Sequence, residues 1–300
     1  MRLRIAIRSR YREGAVGGTM ICRIRWGALI LALGCAPWTT HAADRPPYTV
    51  DAVRYGTIAD FAVRGLVQGA DPARKMDIAM VVWLIRGGGR NVLVDSGFYR
   101  EQFFKRWNVK DFQKPSEAIA VAGLKPEDIT DVIVTHMHWD HADGADLFGK
   151  ARVWVQRDEY TYYSGEGWQN PRTHGGIDPD DVLSFVKMNM DGRVSFVDGD
   201  AKEILPGITC YTGGKHTYAS QYVGVNTAKG VVVLASDNVY LYENLDKHVP
   251  IAQSLDQESN LRAQDRMRKL AAEERLIVPG HDPAQFTRFH GPAPTLVRIE

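Results

Sequence analysis

Cysteine is scarce in this sequence: Cys22, Cys35 and Cys210 are the whole supply. The first two lie in a segment that reads as removable, which leaves one cysteine and excludes an internal disulfide. Long apolar runs are missing as well. The stretch from Trp26 to Ala36 falls well short of the roughly 18 residues a membrane-spanning helix needs. There is no basic stripe either. The formal net charge of +1 hides an uneven distribution, because residues 1–42 carry seven arginines and one glutamate, leaving 30 basic and 35 acidic residues in the rest. A body with that acidic balance is a poor partner for nucleic acid. Internal repeats and low-complexity tracts are also absent. With 44% hydrophobic and 24% charged residues, the chain still has enough apolar side chains for a real core.

The amino-terminal segment has the three parts of a secretory signal. Arg23 and Arg25 precede the apolar run, and the segment ends in small residues at Ala42 and Ala43. The pattern begins at Met20, which reads as the true start. Residues 1–42 are therefore expected to be a targeting segment and residues 43–300 the working domain. The mature protein is expected in the periplasm or outside the cell, with no stable membrane anchor after cleavage.

Short strand-like runs dominate the rest of the chain. "IAMVVWLIR" and "VLVDSG", separated by "GGGRN", read as a hairpin. "PSEAIAVAGL" reads as a short helix closed by Gly123, and "KPEDI" as the start of another, with Pro126 in its first turn. "DVIVTH", "ARVWVQ", "GVVVLASD" and "LIVPGHD" are further strands. "SLDQ", Ser254 to Gln257, has the Ser-x-x-Gln form of a capping box ahead of a helical stretch. Residues 156–193 are aromatic and less regular. They are expected to form either a lid over a site or a surface helix with a packed aromatic face.

The nine histidines are unevenly used, and three of them fall in "HMHWDH". His136 and His138 follow a strand, where residues two apart point to one side and can reach one metal. Asp140 and His141 come next as the chain turns toward a helix, so they can face a second point nearby. Imidazole with carboxylate oxygen suits zinc and similar divalent ions. His216 after "ITCYT", Asp237 after "VVVLAS" and His281 after "LIVPG" each sit at the carboxyl end of a strand-like run. Strand ends of one sheet meet at one edge, so these groups can converge on the first cluster.

Together these motifs resemble the metallo-β-lactamase superfamily, across roughly Ile78 to Phe286. Its His-x-His-x-Asp-His signature matches 136–141, and Asp95 in "VLVDSG" resembles its early strand-end aspartate. The resemblance implies an α/β protein, an αββα sandwich with metals at one edge between two sheets. It also implies that His136, His138 and His216 bind one divalent ion and that Asp140, His141 and His281 bind a second. Asp237 would bridge both, zinc being the first expectation for the metal. A hydroxide between the ions would attack the substrate carbonyl, with Asp140 steering it or handing a proton to the leaving group. The bridging carboxylate argues against the β-lactamases themselves. Tyr240, three residues after Asp237, resembles the Asp-x-x-Tyr of the N-acyl-homoserine lactonases, where the phenol faces the carbonyl region; the alternative is a core tyrosine. Trp139 stands either in the pocket wall or in the core.

The resemblance therefore implies a lactonase-like hydrolase of a small carbonyl compound. A glyoxalase II-like thioesterase and a non-catalytic metal-binding protein are the alternatives. Two departures stand out: "TGGKHT" carries Lys215 with no second histidine, and "HADG" replaces the more usual His-x-Gly-Gly.

Overall fold

The computed structural model describes residues 47–300. The expected targeting segment, residues 1–42, lies outside the described residues. Among the described residues no helix is long and apolar enough to cross a membrane.

Two sheets carry the fold. The larger runs in the order 290–293, 296–299, 49–62, 75–87, 90–94, 131–133, 152–156 and 194–197, with 109–110 added beside 49–62. The smaller runs 277–279, 230–236, 221–227, 208–212 and 202–205. Strand residues alternate between faces, and the alternation separates three apolar layers. Trp83, Ile85, Val92 and Val94 of the larger sheet meet Val223, Val225, Val232 and Leu234 of the smaller one. Val82, Leu84, Leu93 and Val132 turn the other way, against Phe98, Phe148 and Phe185. On the far side of the smaller sheet, Tyr222, Val233 and Ile277 pack on Ala263 and Met267 of the helix Gln257–Leu270. The result is the αββα sandwich expected from the sequence.

Parallel pairing then decides where chemistry can sit. Strands Arg90–Val94 and Asp131–Ile133 run parallel, as do Gly230–Ser236 and Ile277–Pro279. Their carboxyl ends deliver Asp95, His136, Asp237 and His281 to one edge. The expected hairpin is present, with Trp83 opposite Val94.

Local expectations fared unevenly. The "PSEA" helix is a single turn, Pro115–Ala118, continued by a 3-10 stretch and closed by Gly123 at φ 75°. "KPEDI" forms only a 3-10 turn, Pro126–Asp128. The capping box at Ser254 is corrected. Asp256 caps the helix instead, accepting from Ser259 N at 2.9 Å, because a carboxylate both accepts the free amide and complements the helix dipole. Ser254 turns its hydroxyl to the Gly214 carbonyl at 3.0 Å. Half of residues 156–193 is packed helix, Arg157–Tyr163 and Pro179–Met190, with Tyr160, Tyr162 and Trp168 against the core. The connection between them lines the cavity beside the histidines with Arg172, Thr173, Gly175 and Gly176.

The departure "HADG" has a structural reason. Asp143 takes the place of a glycine and accepts from the Tyr99 and Arg100 amides at 2.6 and 3.1 Å and from the Arg100 guanidinium. Gly144 cannot be exchanged in the same way, since a β-carbon there would lie 2.1 Å from the Ser96 carbonyl oxygen. Gly144→Ala should therefore lower stability by about 1–3 kcal/mol, the range for an overpacked interior. Urea unfolding checks this, and an unchanged midpoint would contradict the packing described.

Candidate metal centre

Seven side chains form two groups of potential ligands at the sheet edge: His136, His138 and His216 with Asp237, and Asp140, His141 and His281. All seven are those expected from the sequence. Asp237 has one oxygen for each side. Its Oδ2 stands 3.6 Å from His136 Nε2 and 3.3 Å from His216 Nε2. Its Oδ1 stands 3.3 Å from His141 Nε2 and 3.0 Å from His281 Nε2. Asp140 Oδ2 closes the second group at 3.6 Å from His141 Nε2 and 3.5 Å from His281 Nε2.

Each imidazole uses one ring nitrogen as an anchor and turns the other inward. His141 Nδ1 donates to Asp95 Oδ2 at 2.8 Å, His216 Nδ1 to the Gln253 carbonyl at 2.7 Å, and His281 Nδ1 to the Ala79 carbonyl at 3.1 Å. His136 Nδ1 lies 3.0 Å from Thr135 Oγ1. His138 is held by the Gly175 carbonyl, and its Nδ1 faces His216 Nε2 at 2.8 Å. A hydrogen bond at one nitrogen fixes the tautomer and leaves the other lone pair for a metal. The inward atoms His136 Nε2, His141 Nε2 and Asp237 Oδ1 have no hydrogen-bond partner although they are buried. Unpartnered buried polar atoms of this kind are costly. A divalent cation on each side of Asp237 would satisfy them, so the residues present fit a metal.

For His136 and His138 the electrostatics agree with the donor chemistry. Burial and the neighbouring imidazoles hold His136 and His138 well below the ordinary histidine range, in the neutral ligating form. Burial also acts to lower His141 and His281, but Asp237 and Asp140 push both upward, with Asp95 adding to His141. Asp237 stays well below the usual carboxylate range; burial opposes this, and His141 and His281 prevail.

Asp95 organises the second half of the centre from beneath. Fully buried at φ 60°, it accepts from Thr135 N at 2.8 Å, from Thr135 Oγ1 at 3.0 Å and from Ser236 Oγ at 2.9 Å, besides His141. Thr135 and Ser236 were not singled out in the sequence. Their signal is a hydroxyl ending an apolar strand immediately before a ligand, in "VIVTH" and "VVLASD". Gln253 had no such signal, because it acts through its carbonyl.

A cavity of about 450 Å³ opens onto these groups. His138, Asp140, His216, Asp237 and His281 line its floor, and Ile58, Phe61, Leu66 and Ile78 form an apolar wall. Both possibilities for Trp139 hold: it borders the cavity and stacks on Phe103 at 4.4 Å and on Trp107 at 5.9 Å. Tyr240 is buried yet also borders the cavity, its hydroxyl 3.5 Å from His216 Nδ1. That nitrogen already donates to Gln253, and 3.5 Å is too long for a strong bond, so the phenol proton remains available. Burial, then Asp237 and Asp140, raise the Tyr240 phenol well above its ordinary value and keep it protonated. The Lys215 departure is absorbed by a left-handed residue, φ 52°, whose carbonyl accepts from Leu255 N at 2.8 Å.

Asp237→Ala removes the only carboxylate among the described residues that faces both groups and leaves four inward imidazole nitrogens without it. Bound divalent metal, measured by elemental analysis after growth in metal-replete medium, should fall at least tenfold, in line with losses at metal sites. A variant that keeps a full metal complement would show that Asp237 does not join the two halves.

Known proteins of similar sequence and structure point the same way. The profile of the metallo-beta-lactamase superfamily matches residues 80–281. An N-acyl homoserine lactonase from Bacillus cereus is 32% identical over 163 residues, 53% of this chain and 58% of the relative, so the chain spans under two thirds of that protein. The N-acyl homoserine lactonase AiiB of Agrobacterium fabrum is 26% identical over 234 residues, 71% of this chain and 83% of its own. Among solved structures, an N-acyl homoserine lactone hydrolase with N-hexanoyl-L-homoserine bound at its catalytic metal centre superposes with a TM-score of 0.65. It shares 21% identity and covers 81% of this chain and 96% of its own. The dizinc quorum-quenching lactonase AidC gives 0.61 at 14% identity, over 83% and 89%. At these identities the two structures speak for the fold alone. With its profile, its sandwich and its two ligand groups at one edge, the chain belongs to the metallo-beta-lactamase superfamily.

Proposed function

We propose that this protein is a dinuclear metal-dependent hydrolase that opens lactones, N-acyl-homoserine lactones first among them. The observation that carries the reading is the joint placement of Asp237, with one oxygen toward each ligand group, and the Tyr240 hydroxyl in the same cavity. The names of the relatives support the substrate class.

His136, His138 and His216 would hold one divalent ion and Asp140, His141 and His281 the other, with Asp237 available to both and zinc the expected metal. Ions so placed would supply Lewis acidity at a carbonyl and lower the pKa of water toward neutrality. The chain's own groups do the rest. Tyr240 donates its phenol proton in a hydrogen bond to the carbonyl oxygen as negative charge develops there. Asp140, which borders the cavity, takes a proton from the attacking side and returns it to the ring oxygen that leaves. The wall of Ile58, Phe61, Leu66 and Ile78 binds the apolar part of the substrate, and its burial orients the ester over the ligands. A thioester could occupy the same place, which keeps the glyoxalase II-like reaction as the second reading; a metal-binding role without catalysis is the third. Export by the amino-terminal segment would put the enzyme where it meets extracellular lactones.

A substrate panel run on wild type and Tyr240→Phe tests this. It holds acyl-homoserine lactones of several chain lengths, a simple lactone, a glutathione thioester, a phosphodiester and a β-lactam. The lactones should give the highest kcat/KM. Tyr240→Phe should lower lactone kcat by about 10²–10³-fold, the scale of one oxyanion donor, with metal content unchanged. A thioester preference would favour the second reading, and no turnover of any member by the metal-loaded protein would favour the third. Equal lactone rates in the two proteins would return Tyr240 to a packing role.

A further inference from the structure

The loops carrying the first ligand group lie far apart in sequence, His138 and His216 being 78 positions apart. One buried acid joins them. Glu159, on the helix Arg157–Tyr163, has no solvent exposure. Its Oε1 accepts from Met137 N at 3.0 Å and from Thr217 Oγ1 at 2.6 Å, and its Oε2 accepts from Ala219 N at 2.6 Å. Met137 stands between His136 and His138, and Thr217 directly follows His216. The second ligand group is braced otherwise, His141 by Asp95 and His281 by the Ala79 carbonyl.

We propose that Glu159 is a positioning residue for one metal of the pair, fixing the His136–His138 loop against the His216 loop. The inference rests on the metal-dependent reading of the site. Three donors converge on Glu159, and only a carboxylate is all acceptor. Its bonds to them are charge-assisted, hence short and strong. Glutamine keeps the size but must turn an N–H₂ group against a donor. Buried partners of this kind set ligand orientation, and their loss typically lowers metal affinity about 10–100-fold.

The test uses the full chain stripped of metal by chelation and titrated with Co²⁺ alone, in wild type, Glu159→Gln, Thr217→Val and Thr217→Ser. Calorimetry gives the two dissociation constants, and visible absorption reports the geometry at each ion. In Glu159→Gln, one ion should weaken by about 10–100-fold with an altered Co²⁺ band, and the other should stay within about threefold. Thr217→Val should shift the same ion by about tenfold, and Thr217→Ser, which keeps the hydroxyl, should restore it. Unchanged constants beside a lowered unfolding midpoint of the metal-free protein would make Glu159 a brace for the fold only and overturn the proposal. Equal weakening of both ions would also overturn it. If Glu159→Gln does not fold, the Thr217 pair decides, and wild-type constants in Thr217→Val overturn the proposal. A wild type that takes up no Co²⁺ contradicts the metal-dependent reading and this inference with it, whereas two ions bound unchanged in every variant contradict this inference alone.

Discussion

One carboxylate, that of Asp237, is the constraint on which the centre depends. It is almost wholly buried and has four imidazoles around it within 3.6 Å. An isolated buried charge is expensive, and so is a cluster of buried imidazole lone pairs without partners. Set together around divalent ions, the two costs would offset each other. The rest of the edge serves that arrangement. The parallel pair Gly230–Ser236 and Ile277–Pro279 brings Asp237 and His281 side by side, and Arg90–Val94 beside Asp131–Ile133 does the same for Asp95 and His136. The outward nitrogens are then held by carbonyls and by Asp95, so the inward ones have little freedom to turn.

The same geometry links the sandwich to its chemistry. The cavity has a polar floor, made by the ligands, and an apolar wall made by residues such as Ile58 and Ile78 of the larger sheet's long strands. A substrate with an ester at one end and an apolar tail at the other fits that division. Tyr240 borders the same cavity, held protonated by its burial and then by Asp237 and Asp140.

Much of this was legible in the sequence because the signals were local. His136 and His138 two apart, and a ligand type after each apolar run, are patterns that strand geometry translates directly into shared sides and shared edges. The seven candidate ligand positions came from those patterns, and the two facing sheets from the superfamily resemblance that the patterns carry. What was not legible depends on contacts between distant segments. Ser254 had the form of a cap, but Asp256 stood two residues closer to the helix and took the free amide, releasing Ser254 to the Gly214 carbonyl in the His216 loop. Glu159 sits in "QRDEYTYY" as one charge among three, and only the fold shows it as the buried one. Gln253 contributes a carbonyl, which any residue has. The aromatic segment 156–193 divided between its two possibilities, since packed helix claims half of it and the cavity claims Arg172, Thr173, Gly175 and Gly176.

The central claim is a pair of ions joined by Asp237. The most direct measurement is an anomalous difference map of zinc-loaded crystals collected at the zinc edge. The account predicts two peaks about 3.5–4 Å apart, one beside His136, His138 and His216 and the other beside Asp140, His141 and His281, with Asp237 touching both. A single peak, or a second one out of reach of Asp237, would contradict it.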